Sequence, residues 1–311
     1  MVVPAGRTFL LKPVDFQGPC KPPSINVQIE GNIVAPRNPG EWEGRDVQHW
    51  LEFSDVNGLL LSGSGVIDGQ GSHWWLNPQR TRPIALAIKS CNNVEIRGLK
   101  NVNSASSHMH IGGCNGVIIS DTHISAPGSS PNTDGIDIGF STHVYIANSL
   151  IQTGDDCIAI GDGSSFITIS GITCGPGHGI SIGSLGVNGE NDKVEEVHVC
   201  NCTLQGTSNG ARIKTWQGGS GYARKISFED IQMDGVANPI LIDQYYCPNQ
   251  PVPCKNQPHL TLPHPLLLPA STPMAPPPPS LPRWSHVLRR SMLPLTTLVR
   301  RPQPAQPNHR R

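Results

Sequence analysis

Short β-branched runs recur along the chain: "VEI" from Val94, "VII" from Val117, "VYI" from Val144, "ITI" from Ile167, "VHV" from Val197 and "ISF" from Ile226. They are separated by 23, 27, 23, 30 and 29 residues, and helical spacing of apolar positions is nearly absent. A second apolar run follows each one: "MHIG" ending at Gly112, "DGIDIG" from Asp134, "DCIAIG" from Asp156, "HGISIG" from His178, "GARIK" from Gly210 and "PILID" from Pro239. Runs this short predict β-strands with one face turned inward. A unit of two or three such strands cannot close a core alone, but stacked units bury a continuous apolar column, the logic of a solenoid. Leucine-rich repeats have a similar length, but their Leu ladder and helical segment are missing. An Ig-like or jelly-roll sandwich would supply many short strands without matching positions in successive units. The expected fold is therefore all-β: a single-stranded parallel β-helix with Gly and Asn at its corners.

Stacking changes the meaning of "TGDDCIAIGDG". Asp155 beside Asp156 would, alone, be ordinary turn chemistry. In a solenoid, Asp134, Asp156 and His178, spaced by 22 and again by 22 residues, form a column about 4.8 Å per rung, with Asp155 next to it. The following coil adds Arg212 and Lys214. Three carboxylates, an imidazole and two cations on consecutive rungs are hard to credit to corners alone. Such a cluster suits glycoside hydrolysis, in which one carboxyl donates a proton to the leaving oxygen and ionised partners hold the attacking water. Crowding raises the proton affinity of one member of the group, and His178 is placed to orient the acid. Arg212 and Lys214 point to an anionic sugar.

The segments "SPNTDGIDI", "GDDCIAIG", "GPGHGISIGSLG" and "ARIKTW", in that order, resemble the four signature segments of the plant-type polygalacturonases, the pectin-degrading members of glycoside hydrolase family 28. The stretches "LKP…GPC…INVQIEGNIVAP" and "GSGVIDGQGSHWW" are similar to that family's N-terminal coils, and the likeness covers roughly residues 1–257. It implies a right-handed β-helix that hydrolyses α-1,4-galacturonosyl linkages with inversion and without a cofactor or metal. By position it implies Asp155 as general acid, Asp134 and Asp156 as holders of the water, and His178 as support for the acid. Arg212 and Lys214 would bind galacturonate carboxylates, and Tyr246 in "IDQYYCP" would contact the sugar, although a merely packed aromatic reads equally well there. It also implies a Cys157–Cys174 bridge between adjacent coils; Cys247 and Cys254 make another local pair. His108 and His110 are expected at the cleft rim or facing solvent, and His73-Trp74-Trp75 in cleft wall or core.

Composition adjusts the setting. The 23 basic and 23 acidic residues cancel, but seven Arg lie after residue 257 and the last acid is Asp243, so residues 1–257 carry a net −7. A mildly acidic body argues against a nucleic-acid partner, and no apolar run is long enough to span a bilayer. Nine cysteines without a CxxC pair, and the sequon Asn201-Cys202-Thr203, fit an oxidising, secreted setting, and the family's place is the cell wall. The opening "MVVPAGRTFLLKP" carries no leader pattern. A monomer acting on a pectic polysaccharide is the expectation.

Residues 258–311 hold 14 of the 30 prolines, a composition that central strands exclude. The expected organisation is an incomplete pectinase-like β-helix over 1–257, lacking terminal coils, and a disordered or mistranslated tail over 258–311, with a genuine Pro-rich linker as the rival. An inactive, structural pectin-binding β-helix is the alternative function. A pectin lyase on the same fold ranks lower.

Overall fold

The computed structural model describes residues 1–42, 48–77 and 81–248. They wind as a right-handed parallel β-helix, each full coil laying one strand on each of three faces. One coil runs Asn92–Arg97, Lys100–Val102 and Met109–Gly112; the next runs Asn115–Ser120, His123–Ser125 and Ile136–Gly139. Two further coils follow, Thr142–Ala147, Leu150–Gln152, Ile158–Ile160 and then Ser165–Ser170, Thr173–Cys174, Ile180–Leu185. Beyond them the first two faces are traced by single long strands, Asn191–Gln205 and Ser220–Asp234, each leading to a third-face strand, Asn209–Trp216 and Asn238–Tyr246.

The register is the one the repeat predicts. Val94 pairs with Val117, then Val144, Ile167, Val197 and Ile226 on the first face. Met109, Ile136, Ile158 and Ile180 form a fully buried inward row of the third face, continued in register by Ala211 and by Ile240, which is exposed. The second face carries the row Ile33, Ile67, Asn101, Ile124, Ile151, Cys174 and Leu204. As far as Cys174 its strands are two or three residues long with a single inward side chain, which is why no apolar run announces them. Asn101 is the polar member of that row, and its amide donates to the His108 carbonyl at 2.9 Å.

The corners explain the Gly, Asn and Asp punctuation. Gly98, Asp121, Asn148, Gly171, Asn201 and Asp230 fall at one corner of successive coils, and all six have positive φ. Gly, Asn and Asp are the types that enter the left-handed region at least cost. Because the corner is left-handed in each of these six coils, the strands that leave it stay in step.

Cys157 and Cys174 are bonded across adjacent coils, with Cα atoms 6.0 Å apart. Cys247 is also disulfide-bonded; Cys254, the expected partner, lies outside the described residues, as do the tail from 258 and the boundary at 257. No helix among the described residues is long and apolar enough to cross a membrane. The 157–174 bridge joins residues 17 apart in sequence, and Gly177-His178-Gly179 follows it three residues on. Replacing both cysteines by Ser should lower stability by about 2–4 kcal/mol, read as a fall in the urea midpoint with a slope equal to or steeper than the parent's.

Candidate active site

Two corners stack at the start of the third face. In the first, Ser130 Oγ and Thr133 Oγ1 lie 2.6 Å apart. The second rests on it: the Gly154 N–H donates to Thr133 Oγ1 at 3.0 Å. A Cβ at Gly154 would stand 1.9 Å from the Ser130 carbonyl oxygen, so only glycine lets the corners approach this closely. From there the ladder continues, with Gly135 N–H to Asp156 O at 2.8 Å and Cys157 N–H to Gly179 O at 2.9 Å. Asp134, Asp156 and His178 thereby hold equivalent positions in three successive coils.

Their side chains pair differently from a simple column. His178 Nδ1 meets Asp155 Oδ1 at 2.9 Å, and the His178 N–H donates to the Asp155 carbonyl at 2.8 Å. Asp155 Oδ1 also accepts from the Asp156 N–H at 2.9 Å, and Oδ2 accepts from Asn132 Nδ2 at 3.3 Å. Burial pushes the Asp155 carboxyl up, but the hydrogen bond and charge of His178, the Asp156 N–H and Lys214 together hold it below the usual range.

Asp156 is the ionic centre. Its side chain is 1% exposed; Oδ1 accepts from Arg212 Nη2 at 2.5 Å and Oδ2 from Lys214 Nζ at 2.7 Å. Ser181 Oγ donates to Asp156 Oδ1 at 2.9 Å while accepting from Arg212 Nε at 2.9 Å. The reach back over two coils follows from the outward row of the third face, Asp137–Ala159–Ser181–Arg212, where Ala159 and Ser181 are too small to block it. Lys214 Nζ also stands 5.5 Å from the Tyr246 ring centroid, and Tyr246 packs edge-on against Trp216.

Asp134 and Asp137 behave in the opposite sense to Asp155. Burial first, then the charges of Asp137, Asp155 and Asp156, push Asp134 well above its ordinary value, against the pull of Lys214. Asp137, whose Oδ2 accepts from Ser107 Oγ at 2.5 Å, is raised from 3.8 to about 7 by burial, with Asp156 and Asp155 adding to it. A folded-state pKa above the unfolded one means that the native state holds a proton the unfolded chain releases. Stability should therefore decline as pH rises from about 4 through about 7, by a few kcal/mol. Asp137→Asn should flatten that decline: variant and parent match in urea unfolding near about pH 4, and the variant is the more stable near about pH 8.

Residues 1–261 match the family described as glycosyl hydrolases family 28. The chain belongs to that family. It is 57% identical over 245 residues to an Arabidopsis thaliana protein named as a probable polygalacturonase, covering 79% of this chain and 53% of that one. It is 43% identical over 270 residues to a polygalacturonase of Persea americana, covering 83% and 57%. The chain thus spans little more than half the length of these curated relatives. Among solved structures, the polygalacturonase of Erwinia carotovora aligns at TM-score 0.68 and 26% identity, covering 77% of this chain and 70% of its own. The endo-xylogalacturonan hydrolase of Aspergillus tubingensis aligns at 0.69 and 28%, covering 79% and 69%.

Within this family 28 chain, one reading of the histidines needs correction. His108 is not at the rim but fully buried: its ring lies 3.0 Å from the Asp134 carbonyl at Nδ1, and Nε2 accepts from the Ser104 N–H at 3.4 Å. Burial lowers its pKa to about 4, so it serves as a neutral clamp on the Asp134 backbone. His110 is half-buried on the outward row, paired in register with Asp137. Trp74 is core, edge-on to Trp42. Donor atoms of Asp155, Asp156 and His178 lie within 4.8 Å of one another, near enough for a shared cation. Both Asp156 oxygens are already engaged by Arg212, Lys214 and Ser181, so the chain's own cations supply the neutralising charge.

Asp137, Ser181, Asn132 and Arg82 are the participants the sequence reading missed. Asp137 was findable: in "DGIDIG" it alternates with two inward Ile, which turns it to the same side as Arg212.

Proposed function

We propose that the chain hydrolyses α-1,4-galacturonosyl linkages of a pectic polysaccharide by inversion, acting as a secreted monomer in the cell wall and needing no cofactor. The observation that carries this reading is the division of labour among adjoining acids: Asp155 shares a hydrogen bond with His178, while Asp156 is clamped by Arg212 and Lys214. Asp155, in its protonated form, donates that proton to the glycosidic oxygen as the bond to the anomeric carbon breaks. His178 fixes the carboxyl and can return a proton to it. A water attacks the anomeric carbon from the other side of the ring, held by Asp156 and Asp134. Asp134, pushed by burial and by its acidic neighbours toward higher proton affinity, is in its ionised form the stronger base for the proton that the water loses. Asp156, tied to two cations, orients the water as a fixed negative charge. Arg212, Lys214 and Tyr246 lie at the end of the site where a galacturonate carboxylate would be met.

The test is incubation of the folded chain with polygalacturonate, following reducing ends and the first-formed anomer by NMR. Reducing-end release with initial β-anomer supports the proposal. No release from mildly acidic to neutral pH would support the inactive pectin-binding alternative, and an unsaturated product would indicate lyase chemistry.

A further inference from the structure

Arg82 stands just before the third-face strand Ile84–Lys89, three coils away from the paired acids. Its guanidinium gathers three acceptors from two different coils. Nη1 donates to the Ala105 carbonyl at 3.1 Å and to the Pro131 carbonyl at 2.5 Å, and Nη2 donates to Asn132 Oδ1 at 2.7 Å. Asn132 in turn uses its other amide atom, Nδ2, to donate to Asp155 Oδ2. The consequence is directional. A primary amide has one acceptor end and one donor end. With Oδ1 taken by Arg82, only the N–H end can face the carboxylate; turned over, Asn132 would set oxygen against oxygen.

We propose that Arg82 is a positioning residue for Asp155, acting through Asn132 to fix the orientation of the acid. The inference deepens the proposed function and rests on it for its kinetic arm alone. Two observations besides the hydrogen-bond chain point the same way. Burial pulls the Arg82 guanidinium below its ordinary value while the charges of Asp134 and Asp155 act against that, so its charge is felt by both acids. Arg82 also pins the Pro131 carbonyl, hence the corner that carries Asn132 and Asp134. Asp155 is faced besides by His178 and Lys214, which favour ionisation, and by Asp134, Asp137 and Asp156, which oppose it. Arg82 and Asn132 complete the favourable side from the N-terminal direction, where no other cation is bonded to the corner among the described residues.

The experiment titrates the Asp155 carboxyl by carbon NMR in the parent, Arg82→Gln, Asn132→Ala and the double variant, and records the pH dependence of kcat/KM on polygalacturonate for each. Asn132 is exposed but has a φ of 52°, so Asn132→Ala carries a local cost of about 1–2 kcal/mol and its fold is checked by circular dichroism. If Arg82→Gln does not fold, Arg82→Lys retains the charge but reaches fewer acceptors and takes its place with a smaller expected effect. Both Arg82→Gln and Asn132→Ala should raise the Asp155 pKa and move the kcat/KM profile to higher pH. The double variant should go little further than the stronger single. A drop in kcat of about tenfold to a hundredfold, with KM less affected, is the expected size for loss of alignment without loss of contact with substrate. An unchanged Asp155 titration in both single variants, or shifts that simply add in the double, would overturn the inference. A parent without hydrolytic activity would sink the proposed function, yet the NMR arm would still decide whether Arg82 governs Asp155.

Discussion

Asp155→Asn should lower kcat on polygalacturonate by about 10²–10⁴-fold while leaving circular dichroism and the urea midpoint close to those of the parent. The side chains are the same size, and Asn can still accept from His178 Nδ1 and the Asp156 N–H, which meet one Asp155 oxygen at 2.9 Å each. What the variant loses is a proton that can leave. KM should change little, because the cations near the substrate path are bonded to Asp156 and not to Asp155. A variant as active as the parent would remove Asp155 from the acid role. Attention would then pass to the Asp134 and Asp137 pair, where burial and like charge already favour the protonated form. His178→Ala provides a graded comparison. It removes the partner that lowers and orients Asp155, so it should weaken catalysis less than Asp155→Asn and raise the pH at which the high-pH limb, set by loss of the Asp155 proton, falls.

The coil architecture was legible because β-helix packing writes itself into spacing. Val94, Val117, Val144, Ile167, Val197 and Ile226 can be aligned by eye, and the backbone pairs them one to one. The equivalence of Asp134, Asp156 and His178 was legible for the same reason. What spacing does not encode is where long side chains reach. Arg212 and Lys214 were expected to meet a substrate carboxylate, and what spacing did not show is that both also extend back to Asp156, because the intervening outward positions are Ala159 and Ser181. Nor does spacing show burial at corners. His108 precedes an inward strand residue and reads as surface, but its ring turns under the corner and meets the Asp134 carbonyl. Arg82 belongs to no repeated position at all, so only coordinates could connect it to Asn132.

The same long reach makes Asp156 the most exposed point of the fold energetically. Arg212 and Lys214 are 11% and 8% exposed at their side chains, with the carboxylate between them at 1%. Each charge has left water for a partner, and removing the shared partner strands two cations at once. Asp156→Asn should therefore cost about 3–5 kcal/mol, well beyond the loss of one hydrogen bond, and added salt should restore little of it, since buried charges are poorly screened. Lys214→Met in the Asp156→Asn background should recover part of that loss by withdrawing one stranded charge, although Lys214→Met alone is destabilising. That reversal of sign between backgrounds is the signature of a buried ion triad, read from urea midpoints of the four proteins in a double-mutant cycle. Additive losses across the cycle would mean that Asp156 and Lys214 are not coupled. The water-orienting role would then lose the fixed negative charge on which it depends.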